Sequence, residues 1–197
     1  QGAVLLDSRE KQVLRQTMWD GGRLNPSILA RPAVEIAEMS GIERATRHAT
    51  VLVVSEDEVG PDAPFSGEKL SPVLALYRVA DFDAACEQVQ EIYLYQGAGH
   101  SVGLHTTDPG RPEKIGLTLP ACRVIVNQAH CFATGGNFDN GLPFSLSMGC
   151  GTWGGNSVSD NVHYRHYLNI VRVVRPIPSV EPTEGELLAD YWSKYGK

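Results

Sequence analysis

Two continuous β-branched and apolar runs, Thr50–Val54 and Val73–Tyr77, limit the fold more than any other feature of this chain. A strand with no polar face must be covered on both sides, which is the setting of a parallel sheet layered by helices. Helix signals alternate with these runs. Asp7 and Glu10 form a capping box ahead of Val13, Leu14 and Met18, and Pro32 opens a short helix that Gly41 can stop. Asp81 caps the clearest helix, in which Phe82, Ala85, Cys86, Val89, Ile92 and Tyr93 recur as one apolar stripe until Gly97. Further strands are expected at Ser101–Thr106 and Arg123–Asn127. The expected class is therefore α/β, an open, mainly parallel wound sheet with helices on both faces.

Composition narrows the function. At 197 residues and 42% hydrophobic, the chain can bury one good core. Its formal charge of −6 leaves no basic surface for phosphate backbones, so nucleic acid is set aside as a partner. No apolar run reaches the roughly 18 to 20 residues of a bilayer span, and the chain reads as soluble. Cys86, Cys122, Cys131 and Cys150 lack the paired spacing of a metal or dithiol site, which suits a reducing cytoplasm and predicts no metal.

Between Gln128 and Asp160 the sequence is rich in Gly, Asn and Ser without periodicity, and such a stretch in a compact domain is expected to be functional. Tyr167–Val174 then alternates as a strand does, and Pro176, Pro178 and Pro182 carry the chain onward as an extended arm. Thr183 and Glu186 form a second capping box before Leu187, Leu188, Tyr191, Trp192 and Tyr195. That amphipathic tail helix wants an apolar surface, which a partner subunit could supply.

Each chemical motif has a plainer alternative. Gly149-Cys150-Gly151-Thr152-Trp153-Gly154 matches G-x-G-x-x-G, but a loop precedes it and no helix opens after it, so the dinucleotide-binding reading fails on context. Its glycines suit a backbone passing close to other backbone or to a ligand. Cys150 could be a nucleophile if His100 lay within hydrogen-bond reach; otherwise it is a small buried hydrophobe, as Cys86 and Cys122 are expected to be. His100 follows Gly97-Ala98-Gly99 where a strand begins, and is either a catalytic group or a histidine satisfied by local backbone. His105 is expected inside that strand as a structural residue. Spacing alone leaves Glu68 as solvated surface.

Four ordered segments add to this reading: Glu68-Lys69-Leu70-Ser71-Pro72, Gly97-Ala98-Gly99-His100-Ser101, Arg123-Val124-Ile125-Val126-Asn127 and Gly149-Cys150-Gly151-Thr152-Trp153-Gly154-Gly155-Asn156-Ser157. Together they resemble the aldehyde dehydrogenase superfamily, and within it the coenzyme A-acylating branch. The likeness runs in order over most of residues 1–174. It implies that residues 1–162 are part of the catalytic domain, 163–176 an oligomerisation strand and 177–197 a tail with a short helix.

The resemblance also implies roles. Glu68, four residues before Pro72, matches the glutamate that hydrogen-bonds the nicotinamide ribose, and Leu70 matches a side chain packed near the nicotinamide ring. His100 matches the histidine typical of the acylating branch, expected to assist proton transfer or acyl transfer to coenzyme A. The family's nucleophilic cysteine precedes the helix matched by Asp7–Trp19, and none of the four cysteines here takes its place. The expected whole is an oxidoreductase of a small aldehyde using NAD or NADP and coenzyme A, assembled as a homo-oligomer. This chain is expected to be inactive alone; the alternative is a nonenzymatic oligomerisation or binding module on the same scaffold.

Overall fold

The computed structural model describes residues 2–197, and the chain divides into two units, residues 1–163 and 164–197. In the first, β1 (Ala3–Leu5) leads into α1 (Ser8–Met18), whose capping box forms as the Asp7 side chain accepts from the Glu10 amide and Glu10 accepts from the Asp7 amide. Glu10 has a second task. Its carboxylate is held by Arg44, which also donates to the Leu5 carbonyl, and this guanidinium holds the Glu10 carboxyl below its usual range. One arginine thus ties the end of β1 to the start of α1.

Two short strands that the sequence reading did not anticipate follow, β2 (Trp19–Asp20) and β3 (Arg23–Leu24), paired antiparallel. Gly21 and Gly22 make the turn with φ of 55° and 80°, the positive values that a two-residue type I′ hairpin needs at both positions. After α2 (Ala33–Met39), the first expected run becomes β4 (Val51–Ser55) and the second β5 (Val73–Leu76). β1, β4 and β5 form a parallel sheet in the order β1-β4-β5, with Val4 opposite Leu52 and Val53 opposite Leu74.

The long helix α3 (Phe82–Gln96) begins at Asp81 and stops at Gly97, as its sequence requires. Its stripe is half-buried rather than fully buried, because it packs from one side onto a second, smaller core. That core lies against β6 (Val102–Leu104), α4 (Gly110–Thr118) and β7 (Val124–Val126). β6 and β7 pair in parallel as a separate two-stranded sheet, so the wound sheet exists in two pieces. His105 lies just beyond β6 and is exposed, not within the strand. A short helix, α5 (His130–Ala133), follows β7.

In the second unit, a 3-10 turn occupies Tyr164–Tyr167 and residues 168–183 take no regular secondary structure. The strand expected over Tyr167–Val174 is therefore not formed: a strand needs a neighbour for its backbone groups, and none pairs with this segment among the described residues. α6 (Glu184–Tyr195) forms as expected, with the Thr183 and Glu186 capping box complete. Its Leu187, Tyr191 and Tyr195 are exposed. No described helix is long and apolar enough to cross a membrane.

The main core joins the first sheet to α1 and α2 through Leu14, Met18, Ile36, Leu52, Val54 and Phe65, all fully buried. Trp19 packs edge-on against Phe65 with ring centroids 4.8 Å apart. Leu52 sits on the central strand, where the cavity left by truncation has least room to collapse. Leu52→Ala is expected to cost about 2–5 kcal/mol, read as a fall in the urea midpoint with unchanged m-value.

Candidate functional site

A cleft of 790 Å³ is lined by α1 residues such as Lys11, Gln12 and Arg15, by Trp19 and Leu24 of the hairpin, and by Glu68, Tyr95 and Gln96. Glu68 is exposed, and no ion pair engages its carboxylate among the described residues. Its backbone is fixed instead: the Glu68 amide donates to Gln96 Oε1 at 2.5 Å. Lys69 closes the loop from below, donating from Nζ to the Phe65 and Gly67 carbonyls at 2.7 and 2.6 Å. Leu70 is 59% exposed and holds φ of 46°, a left-handed conformation that costs a branched side chain about 1 kcal/mol or more. Its carbonyl accepts from the amide of Ala30, itself at φ 55°.

Gln96 is the last residue of α3, so the side chain that fixes Glu68 lies four residues before His100. The loops bearing the two expected site residues are thereby linked, although no hydrogen bond joins Glu68 to His100 directly among the described residues. The sequence reading gave Gln96 no role, since a glutamine at a helix end carries no signal of its own.

His100 is exposed, and its surroundings are tightly arranged. Its carbonyl accepts from Arg123 Nη1 at 2.9 Å, and its imidazole Nδ1 lies 2.6 Å from Ser101 Oγ. Ser101 Oγ lies in turn 2.8 Å from Nε2 of His130, at the start of α5. Tyr93 Oη donates to the Ser101 carbonyl at 2.9 Å. Burial pushes the His130 imidazole below its ordinary pKa, and the neighbouring His100 pushes it the same way. Sequence reasoning missed His130 entirely: it is 29 residues from Ser101, and nothing in its local sequence marks it.

Cys150 answers the nucleophile question. Its backbone crosses so close to Gly99 that a side chain there would collide with the Cys150 carbonyl. Yet the His100 ring pairs with Ser101, and no hydrogen bond joins His100 to the Cys150 thiol among the described residues. Cys86 and Cys122 have thiols pushed up by burial, the opposite of activation. Among the described residues, no group of three or more His, Cys, Asp or Glu side chains could hold a metal.

The segment Ser147–Val162 closes on itself through backbone bonds between Val162 and Ser147, Gly149 and Asp160, and Gly151 and Val158. A 3-10 turn at Thr152–Gly154 sits where a dinucleotide motif would open a helix, so the G-x-G-x-x-G match is structural. Gly149 faces the Val158 carbonyl with no room for a Cβ. Arg123, 4% exposed, pins this segment: Nε donates to Asn161 Oδ1 at 2.6 Å, and both terminal nitrogens donate to the Gly149 carbonyl at 3.0 Å. Asn161, 1% exposed, passes the connection on to the Thr134 and Pro143 carbonyls.

This fold is that of the aldehyde dehydrogenases. The crystal structure of an acetylating aldehyde dehydrogenase from Geobacillus thermoglucosidasius superposes with a TM-score of 0.80 at 39% identity, over 90% of this chain and 40% of that one. No family model matches the chain. Its sequence is 56% identical over 197 residues to the sulfoacetaldehyde dehydrogenase (acylating) of Cupriavidus necator, all of this chain and 40% of that protein. The succinate-semialdehyde dehydrogenase (acetylating) of Clostridium kluyveri is 32% identical over 173 residues, 87% of this chain and 38% of that protein. The chain is thus homologous to the acylating aldehyde dehydrogenases, and spans about 40% of the length of these relatives.

Two outcomes are expected at this site. Asn161→Ala strips the Arg123 Nε and the Thr134 and Pro143 carbonyls of their partner, and should lower stability by about 1–3 kcal/mol, measured by chemical denaturation. Burial lowers the Lys69 amine from 10.5 to about 8. Between those pH values the folded chain holds fewer protons than the unfolded one, so stability rises with pH across the window, and below about 8 the burial penalty on the ammonium is present in full. Lys69→Met should flatten that rise in a pH series of melting temperatures.

Proposed function

We propose that this chain is the part of a coenzyme A-acylating aldehyde dehydrogenase that holds the nicotinamide end of the cofactor and serves acyl transfer. The observation that carries the reading is an unpaired, exposed Glu68 carboxylate on a 790 Å³ cleft, in a chain homologous to acylating enzymes along its length. A free carboxylate in such a cleft suits the paired hydroxyls of a ribose, and Trp19, Leu24 and Tyr95 offer apolar surface beside it. The carboxyl end of α3 points into the same region. Its negative partial charge, added to that of Glu68, favours the cationic nicotinamide ring over a phosphate.

When bound, the cofactor supplies hydride acceptance from the aldehyde carbon. Glu68 orients it by accepting hydroxyl hydrogens, and Leu70 offers apolar contact. His100 takes the thiol proton of coenzyme A at Nε2 and so readies sulfur for attack on the acyl group. The nucleophilic cysteine is taken to come from outside these residues: burial outweighs the nearby cations and pushes the Cys86 and Cys122 thiols up, and no hydrogen bond joins His100 to the Cys150 thiol among the described residues. NAD and NADP both fit this end of the site.

The exposed Ile170, Val171, Val173 and Val174, which lack a strand neighbour, support residues 163–176 adding to a sheet edge of a second copy. Association in a homo-oligomer is part of the same reading.

The full-length gene product and this chain should be compared in an aldehyde- and coenzyme A-dependent NADH assay. The long form is expected to turn over and this chain is not; turnover by this chain alone would make Cys150 the nucleophile and sink the proposal. In the long form, Glu68→Gln should weaken cofactor binding by about 1.5–3 kcal/mol, roughly tenfold to a hundredfold in Kd. His100→Ala should lose acyl transfer to coenzyme A.

A further inference from the structure

We infer that Ser101 and His130 are positioning residues that hold His100 as the tautomer with its proton on Nδ1, leaving the Nε2 lone pair on the exposed edge of the ring. The geometry is a three-membered hydrogen-bonded chain: His100 Nδ1 at 2.6 Å from Ser101 Oγ, and Ser101 Oγ at 2.8 Å from His130 Nε2. A serine hydroxyl has one proton, so it can donate to one of these nitrogens while accepting from the other. The chain therefore has a direction. In one direction Ser101 donates to His100, which places the His100 proton on Nε2 and leaves no base on the exposed edge. In the other, His100 Nδ1–H donates to Ser101, Ser101 donates to His130 Nε2, and the exposed His100 nitrogen is bare.

The second direction is the one that a base at His100 requires, and the surroundings permit it. His130 is half-buried, and burial together with the nearby His100 disfavours its charged form, so it is a neutral ring that accepts at Nε2 when its own proton is on Nδ1. The backbone around the chain is pinned on both sides, by Arg123 on the His100 carbonyl and by Tyr93 on the Ser101 carbonyl. Gly103 backs onto His130, and a Cβ there would lie 2.5 Å from its Nδ1, so the ring is set in place by a residue without a side chain. If His100 gains a proton at Nε2, its Nδ1–H keeps donating to Ser101 and nothing else in the chain reverses.

This inference rests on the role proposed for His100 in acyl transfer and deepens it. In that step the thiol S–H bond breaks, the proton passes to His100 Nε2, and sulfur keeps the electron pair with which it attacks the acyl carbon. His130 gains no proton. Its part is to accept from Ser101, so that the base is in the right tautomer before the thiol arrives.

The test reads the tautomer directly in this 197-residue chain, by nitrogen-15 NMR of the imidazoles. The expected result is a protonated Nδ1 and a bare Nε2 on His100. Ser101→Ala should abolish that preference, and so should Gly103→Ala, which removes no polar group and acts only by displacing His130. Ser101→Thr, which keeps the hydroxyl, should retain it. A wild-type His100 with its proton on Nε2 overturns the inference, as does an Nδ1-protonated His100 unchanged in both alanine variants; the wild-type spectrum decides even if a variant fails to fold. The two readings fail separately: the expected tautomer combined with undiminished acyl transfer in the full-length His100→Ala enzyme would remove the proposed role and leave the hydrogen-bonded chain standing.

Discussion

The buried guanidinium of Arg123 is the interaction around which the second half of the main unit is arranged. No carboxylate forms an ion pair with it among the described residues; the charge is dispersed over the carbonyls of His100, Gly149 and Ser159 and the side-chain oxygen of Asn161. Burying an unsolvated charge costs several kcal/mol, so the fold is stable only when those oxygens converge. They come from the loop before β6, from the two arms of the Ser147–Val162 excursion, and from its closing residue. A loop without helix or strand is in this way held as firmly as a regular element. The planar, multi-donor arginine head is suited to this; a lysine presents a point charge and cannot span the same set of acceptors.

That arrangement also determines where the glycines must be. Gly99 and Gly149 are each pressed against another stretch of backbone, at the Cys150 and Val158 carbonyls respectively. The motif that mimics a dinucleotide-binding turn is therefore a record of packing around Arg123. Its one-letter pattern coincides with a phosphate-binding fingerprint because both need backbone to approach closely, here toward more backbone.

The sequence displayed the elements whose cause is local. α3 was legible from Asp81 to Gly97, and β4 and β5 from unbroken apolar runs, because caps and periodicity act within a few residues. α4 was not foreseen: Gly110, Pro112 and Gly116 are poor helix formers, yet Pro112 falls in the first turn, where its missing N–H costs nothing. The β2–β3 hairpin carried the Gly21–Gly22 turn signal, but strands of two residues have no period to detect. Tyr167–Val174 shows the converse, an alternation that is real but has no paired neighbour among the described residues. At the site, Glu68, Leu70 and His100 were picked out by resemblance, whereas Gln96, Ser101, Arg123 and His130 act through contacts that no spacing rule encodes.

The position of the site relative to the strands follows from those contacts. Wound α/β sheets usually bind ligands beyond the carboxyl ends of their strands, where helix N-termini can grip phosphate. Here Glu68 and Leu70 precede β5, and His100 precedes β6, so these side chains gather at the amino ends, beside the carboxyl end of α3. The hydrogen bonds that fix these loops come from side chains. Gln96 fixes the Glu68 backbone, Tyr93 and Arg123 fix the peptide on either side of the His100–Ser101 pair, and Lys69 fixes the turn beneath. A region that strand termini alone would leave loose is made rigid by four long side chains, each reaching across from another part of the fold or back along its own loop. The cost appears as a buried amine, a buried guanidinium and a left-handed Leu70, in or against the segments that carry Glu68 and His100.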